Sequence, residues 1–204
     1  MDNSAVPTKG NLIAAKNSLA LARQGYELMD KKRNILIREL MELVDQAKDI
    51  QAEIRTTFTE AYAALQRANM ELGINAVADV ARNVPVEDSI EVKTRSIMGT
   101  EIPLVRYDAA TRTPVYAFYS TKESLDIARV AFEKVKDLTI KLSMVENSAY
   151  QLAANIKKAQ KRANALKNIT IPRYEMLTKT ISNALEEKDR EEFTRLKVIK
   201  RMHG

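Results

Sequence analysis

A hydrophobic repeat of alternating three- and four-residue steps runs through most of this chain and dictates what it can become. From Leu12 the steps reach Leu12, Ala15, Leu19, Ala22, Tyr26, Met29, Arg33, Leu36, Leu40, Leu43, Ala47, Ile50, Ile54, Thr57, Ala61, Ala64 and Ala68, and 15 of these 17 positions are apolar. A second series, Ala128, Ala131, Val135, Leu138, Leu142, Val145, Ala149, Leu152, Ile156, Ala159, Ala163 and Leu166, is apolar at all 12 positions. With 45% hydrophobic residues overall, chance would fill about half of each series. A period of about 3.5 residues keeps one apolar seam on an α-helix and winds paired helices into a left-handed supercoil. The many alanines on the seam predict closely spaced helices.

Proline decides where such helices can lie, because it lacks the amide N–H and clashes with the preceding turn. Pro7 comes first, Pro85, Pro103 and Pro114 cluster centrally, and Pro172 stands alone near the end. The long gaps, Thr8 to Val84 and Val115 to Ile171, carry the two apolar series. Two such helices with a short connection fold most simply back on themselves. The predicted fold class is mainly α: a long antiparallel two-helix left-handed coiled coil with a short β-hairpin in the central connection. Its parts are an N-terminal coiled-coil helix over 1–84, the connection over 85–120 and a C-terminal coiled-coil helix over 121–204, forming a single elongated domain. A helix of roughly 70 residues is on the order of 100 Å long. Aromatic content of 5% argues against a thick conventional core, and the scarcity of glycine favours regular structure.

The connection differs in kind. In "SIEVKTRSIMGTEIPLVRY", from Ser89 to Tyr107, Ile90, Val92 and Thr94 alternate with Glu91, Lys93 and Arg95, and the pattern resumes after Gly99 with Ile102, Leu104 and Val105. This predicts a β-hairpin turning near Met98 to Thr100, with Pro103 confined to an edge. A lone hairpin is marginal in water, so it should lean on the coiled coil or on a partner, with Ile90, Val92, Ile97, Met98, Gly99 and Ile102 as the candidate partner region. Ser120 and Glu123 have the spacing of a capping box for the second helix. Past Pro172 the apolar positions move to Tyr174, Leu177, Ile181 and Leu185, a phase break of the kind a proline kink or a stutter produces. Phe193, Leu196 and Ile199 continue toward the end, placed either to pair with the N-terminal turns or to touch a partner.

Charge is distributed unevenly. Residues 1–40 hold 7 Lys/Arg against 4 Asp/Glu, residues 151–204 hold 13 against 6, and residues 41–150 hold 13 against 17. Antiparallel folding would gather the two basic segments at one end, which predicts an acidic partner there: nucleic acid, anionic membrane or an acidic protein cavity. A basic coiled-coil nucleic-acid-binding arm would normally accompany another domain, and a membrane scaffold should carry its cations along a lateral face. Within "MDKKRNIL", Lys31 and Lys32 should face outward, whereas Arg33 falls on the seam, where its stem packs and its guanidinium either reaches a carboxylate on the other helix or on a surrounding partner, or snorkels with no partner role.

Catalytic chemistry finds little support. The one histidine, His203, sits beside the terminus, and no phosphate-cradling glycine loop can be drawn. The absence of cysteine excludes disulfides and thiolate zinc sites and fits a reducing compartment. Pairs such as Glu186 with Arg190, or Lys188 with Glu192, have the spacing of exposed helical ion pairs. No catalytic, cofactor-binding or metal residue is assigned. Neither an apolar leader nor an 18-residue apolar run is found, so the expected location is cytoplasmic, without direct membrane insertion.

"PTKGNLIAAKNSLALARQGYELMDKKRNILIREL", from Pro7 to Leu40, and "NALKNITIPRYEMLTKTISNALEEKDREEFTRLKVIK", from Asn164 to Lys200, resemble the D subunit of V-type and A-type rotary ATPases, as does the stretch around "RSIMGTEIP". The resemblance covers nearly the whole chain. It implies a non-catalytic central rotor shaft without cofactor. The paired termini would insert into a ring of three catalytic and three non-catalytic nucleotide-binding subunits. The other end would bind the F subunit and a funnel-shaped C/d-type subunit seated on the membrane ion ring. Such a shaft is peripheral on the cytoplasmic face and binds no nucleic acid. It couples ATP hydrolysis or synthesis to ion movement, of protons or sodium. The candidate ring contacts on the basic half are Lys31, Lys32, Arg33, Arg162, Lys167, Arg195 and Lys197. The F-type γ shaft is related, but its middle region would need a larger α/β domain than this connection allows.

Overall fold

The computed structural model describes residues 6–86, 88–107 and 116–202; Pro114, Val115 and His203 lie outside them. Helices α1 (Lys9–Leu72) and α2 (Ile74–Arg82) precede strands β1 (Glu91–Ile97) and β2 (Thr100–Arg106). A 3₁₀ turn at Phe118–Ser120 leads to α3 (Glu123–Ala165), and a π turn at Leu166–Thr170 joins α3 to α4 (Ile171–Met202). Thr8 starts α1: its hydroxyl accepts from the Asn11 amide at 3.2 Å and its carbonyl from the Leu12 amide at 3.0 Å. No position of either predicted apolar series is exposed. The chain divides into two compact units, Leu36–Asn155 on one hand and Met1–Ile35 with Ile156–Gly204 on the other.

In the central unit, residues 36–72 of α1 run antiparallel to α3. Gln51 donates to Glu146 at 3.2 Å, Ser124 donates to Glu71 at 2.9 Å, and Tyr62 meets Phe132 edge to face with ring centroids 5.6 Å apart. Leu36, Val135, Leu138, Val145 and Leu152 fill the seam. Where proline spacing predicts helix up to Val84, Gly73 instead adopts φ 86° and α1 stops at Leu72. A positive φ is readily available to glycine and breaks the α ladder. The chain then re-enters helix as α2, whose Val77 packs on Ala68 and Leu125, with Leu65, Leu72, Val80 and Tyr116 around them.

The hairpin turns on Met98 and Gly99, with φ 50° and 74°, so that Ile97 pairs with Thr100. Two central residues at positive φ match the right-handed twist of the flanking strands. Pro103 lies opposite Thr94. Thr100 and Ile102 are buried, the Val105 amide donates to Met144 Sδ at 3.4 Å, and Ser148 Oγ, which donates its proton to the Met144 carbonyl at 2.7 Å, lies 3.4 Å from the Pro103 carbonyl. The hairpin therefore leans on the chain's own helices. Because α3 begins at Glu123 and Ser120 closes the 3₁₀ turn, the Ser120–Glu123 pair does not have the cap-and-third-residue placement of a capping box.

In the terminal unit, residues 9–35 of α1 pair with the end of α3 and with α4. Ala15, Ala22, Ala159, Ala163 and Ile181 are buried. The phase break has a local cause. A heptad continued from Leu166 would bring Arg173 to the seam, but Arg173 is exposed and Tyr174 is half-buried. The π turn supplies the extra residue: the Ile171 amide bonds the Leu166 carbonyl, five residues back, and Thr170 Oγ1 donates to the Ala165 carbonyl at 3.4 Å. Pro172, which has no amide to give, follows at once.

Candidate functional site

The seven basic candidates all fall in the terminal unit, which holds 19 Lys/Arg against 9 Asp/Glu, whereas the central unit holds 14 against 18. Within that unit the cations are used in two ways. Arg33, on the seam, does reach the opposite helix, but its partner there is an amide: Nη1 donates to Gln160 Oε1 at 2.9 Å. The carboxylate it pairs with is Asp30, one turn back on α1, at 2.7 Å. Gln160 donates in turn to Asn164 at 2.8 Å. A charged residue on the seam with its hydrogen bonds satisfied in this way pins helix register.

Arg23 and Glu175, both exposed, tie α1 to α4 at 2.7 Å. Lys167 Nζ, within the π turn, lies 5.9 Å from the centre of the Tyr26 ring, a cation–π contact. Gly25 occupies the facing turn, where an added Cβ would lie 3.7 Å from Leu166 Cδ1.

Lys31, Arg162, Arg195 and Lys197 are exposed, and Lys32 is half-buried. Arg195 pairs with Glu191 at 3.8 Å and Arg190 with Glu186 at 3.9 Å, both along α4. From Glu186 to Met202 every residue is exposed, Phe193, Leu196 and Ile199 among them.

The six hairpin candidates separate into two faces. Ile102 is buried and Ile97 half-buried against the helices, while Ile90, Val92, Met98 and Gly99 are exposed. Between the exposed face and α3 runs a groove of about 720 Å³, lined by Ile90, Val92, Pro103, Ile140, Met144 and Asn147 among others, with Glu101 its one charged lining residue.

A second apolar surface escaped the sequence reading. Val77, Val80, Val84, Tyr116, Leu125 and Phe132 line a groove of about 430 Å³, and the same stretches expose Ile74, Phe118 and Tyr119. The signal for it was present as Ile74, Val77, Val80 and Val84 at helical spacing beyond Gly73. Tyr116 donates its phenol proton to the Asp126 carboxylate. Burial first, then that hydrogen bond and the carboxylate's charge, push the phenol up from 10.0 to about 12. Among the described residues no group of three metal-ligating side chains comes together, and no helix is long and apolar enough to cross a membrane.

Comparison with known proteins gives one consistent result. The family described as the D subunit of ATP synthase matches residues 11–201. The V-type ATP synthase D subunit of Thermotoga neapolitana is 42% identical over 197 residues, covering 97% of this chain and 97% of its own. The A-type ATP synthase D subunits of Pyrococcus furiosus and Thermococcus kodakarensis are 38% and 36% identical, each covering 95% of this chain and 92% of its own.

Proposed function

The chain belongs to the family of ATP synthase D subunits, non-catalytic stalk subunits of V/A-type rotary ATPases, and from this we propose that it is the central rotor shaft. In this reading the terminal unit enters a ring of three catalytic and three non-catalytic nucleotide-binding subunits. The central unit receives the F subunit and the funnel-shaped C/d-type subunit of the membrane ion ring. The whole sits on the cytoplasmic face of the membrane.

The observation that carries the reading is the difference in surface between the two units. The terminal unit is strongly cationic, and its charges ride on long stems of an alanine-seamed helix pair. The central unit is mildly acidic and presents two apolar grooves. Exposed cations make screened, exchangeable contacts, which suit a surface that must slide. Apolar grooves suit partners that travel with the shaft and stay bound. Coupling then requires only that each nucleotide state of the ring prefer one orientation of the shaft.

Native mass spectrometry of the complex, solubilised through a tag on this chain, tests the reading. One copy of the chain with three copies each of two nucleotide-binding subunits is the expected result. Recovery with nucleic acid or lipid and no ATPase subunits would overturn it. Lys31→Glu with Lys32→Glu is expected to weaken ring binding and coupled ion transport.

A further inference from the structure

The second half of α4 carries charge in an order that its own packing does not explain. Every residue over 186–202 is exposed, Phe193 at 69% and Leu196 at 65%. Residues 186–192 hold 5 Asp/Glu against 2 Lys/Arg, whereas residues 193–202 hold 4 Lys/Arg and no acid. The helix dipole favours Lys200 and Arg201 in the last turn. It does not reach an acidic block in mid-helix.

The order is a mirror. Glu186, Asp189, Phe193, Lys197 and Lys200 follow one another at steps of three, four, four and three, so they share one face of α4, with Phe193 at its centre and Leu196 beside it. A second α4 laid antiparallel about Phe193 brings each residue level with the one equally far on the other side of Phe193. Glu186 and Asp189 of one copy then come against Lys197 and Lys200 of the other. Eleven of the 17 residues over 186–202 are charged, yet the reflection sets no charge level with its own sign. A parallel pair in register would set every charge against its own. Glu191 and Arg195, on the far face, pair with each other along the helix at 3.8 Å. Glu186 meets Arg190 at 3.9 Å, an exposed contact of little worth that leaves its carboxylate able to take a further partner.

We infer that free copies of this chain pair antiparallel through this face of α4, Phe193 against Phe193 and the two carboxylates of each copy against the two lysines of the other. Both halves of the interface belong to one sequence, as a two-fold contact requires. One phenylalanine and one leucine per copy make a small apolar centre, well short of what a permanent dimer buries. The pairing is therefore weak and reversible, formed at about 100 μM and lost at about 1 μM, and salt weakens it because its rim is ionic. It does not rest on the rotor reading. Taken with that reading, it closes in the free chain a face that the ring would meet, so the second copy and the ring compete for α4.

Sedimentation velocity of the full chain, free of other subunits, tests this. At about 100 μM in low salt the wild-type chain should sediment as a dimer, and in about 0.5 M salt as a monomer. Lys197→Glu with Lys200→Glu makes the face wholly acidic, and Glu186→Lys with Asp189→Lys makes it wholly basic. Each double variant alone should weaken self-association at least about tenfold, and mixing the two in equal amounts should restore a dimer. All four positions being exposed, the circular-dichroism melts should change little. Phe193→Cys, in a chain with no other cysteine, should cross-link to its own copy under mild oxidation, whereas Val198→Cys on the far face should not. A wild-type chain that stays monomeric at about 100 μM in low salt would overturn the inference, as would a dimer that both double variants retain. Loss in both variants without restoration on mixing would also overturn it, since the charges would then act without facing one another. None of these outcomes bears on the rotor reading, which the composition of the assembled complex tests separately.

Discussion

The two units of this protein pair helices on the same seam but fill it differently. In the terminal unit the buried positions are Ala15, Ala22, Ala159 and Ala163, with Ile181 the one large side chain. In the central unit Ala61, Ala64, Ala68 and Ala128 are buried too, but Leu36, Val135, Leu138, Val145 and Leu152 are buried beside them, and the hairpin and α2 pack over the flanks. Alanine lets backbones approach closely and leaves little to repack. Large side chains build a core that can be hollowed. The units also differ in continuity, because the central seam is regular while the terminal one takes in an extra residue at the π turn.

The sharpest test of that difference is to delete one residue from each unit. Removal of Lys141 from α3 rotates everything on one side of the cut by about 100°, exposing Val145 and Leu152 or their counterparts. At about 1.5–3 kcal/mol for each large apolar side chain withdrawn from the seam, the central unit should not remain folded. Removal of Asn168 does the opposite. It shortens the Leu166–Tyr174 interval to seven, converts the π turn to α, and leaves Tyr174, Leu177 and Ile181 on the seam. Pro172 would then sit in an ordinary helix at a cost of about 3 kcal/mol, so the deletion should be nearly silent only when combined with Pro172→Ala. Thermal unfolding followed at 222 nm reads all three variants. Equal collapse of the two deletions would show that the π turn is not an absorbed insertion.

These outcomes bear on what the sequence alone could convey. The seam was legible in full, since burial on a coiled coil follows a period that counting detects, and every counted position is at least half-buried. The hairpin was legible for a similar reason, through alternation and the glycine at its turn. The phase break was visible, but a proline kink, a stutter and a π turn all leave the same trace in spacing. The end of α1 at Gly73 was not read, because a single glycine within a helical pattern is tolerated and the decision lies in the packing of Val77 on Ala68 and Leu125. Arg33's partner was out of reach as well. Which residue faces it depends on the stagger of two helices, and the answer was the Gln160 amide rather than a carboxylate on the opposite helix.

Side-chain size gives the next test. Leu152→Ala should cost about 2–5 kcal/mol in chemical denaturation, because Leu152 is fully buried and rigid helices collapse poorly onto the cavity. Ala163→Leu should cost about 1–3 kcal/mol for the opposite reason, by forcing helices apart. Ala163 is 1% exposed. If Ala163→Leu proves neutral, the terminal unit is looser than its alanine seam implies, and close approach is not what holds it.

The smallest effect concerns the apolar groove beside α2 and singles out the central unit by pH. Tyr116 bonds the Asp126 carboxylate, and its phenol is pushed up to about 12 from an ordinary 10.0. A raised folded-state value means that the neutral phenol is preferred in the native protein. Its stabilisation is complete below pH 10, where the unfolded chain also keeps the proton, and is lost as pH rises through 10 toward 12. Tyr116→Phe removes that dependence and, with Asp126 still partly solvated, should cost about 1 kcal/mol at neutral pH. The melting temperature of wild type minus that of the variant should therefore shrink between pH 10 and 12, a difference in which the lysines common to both chains cancel. A difference that stays constant to pH 12 would mean that the phenol and Asp126 are not coupled in the folded state, and that the apolar contacts around Val77 hold the segment before α3 without them.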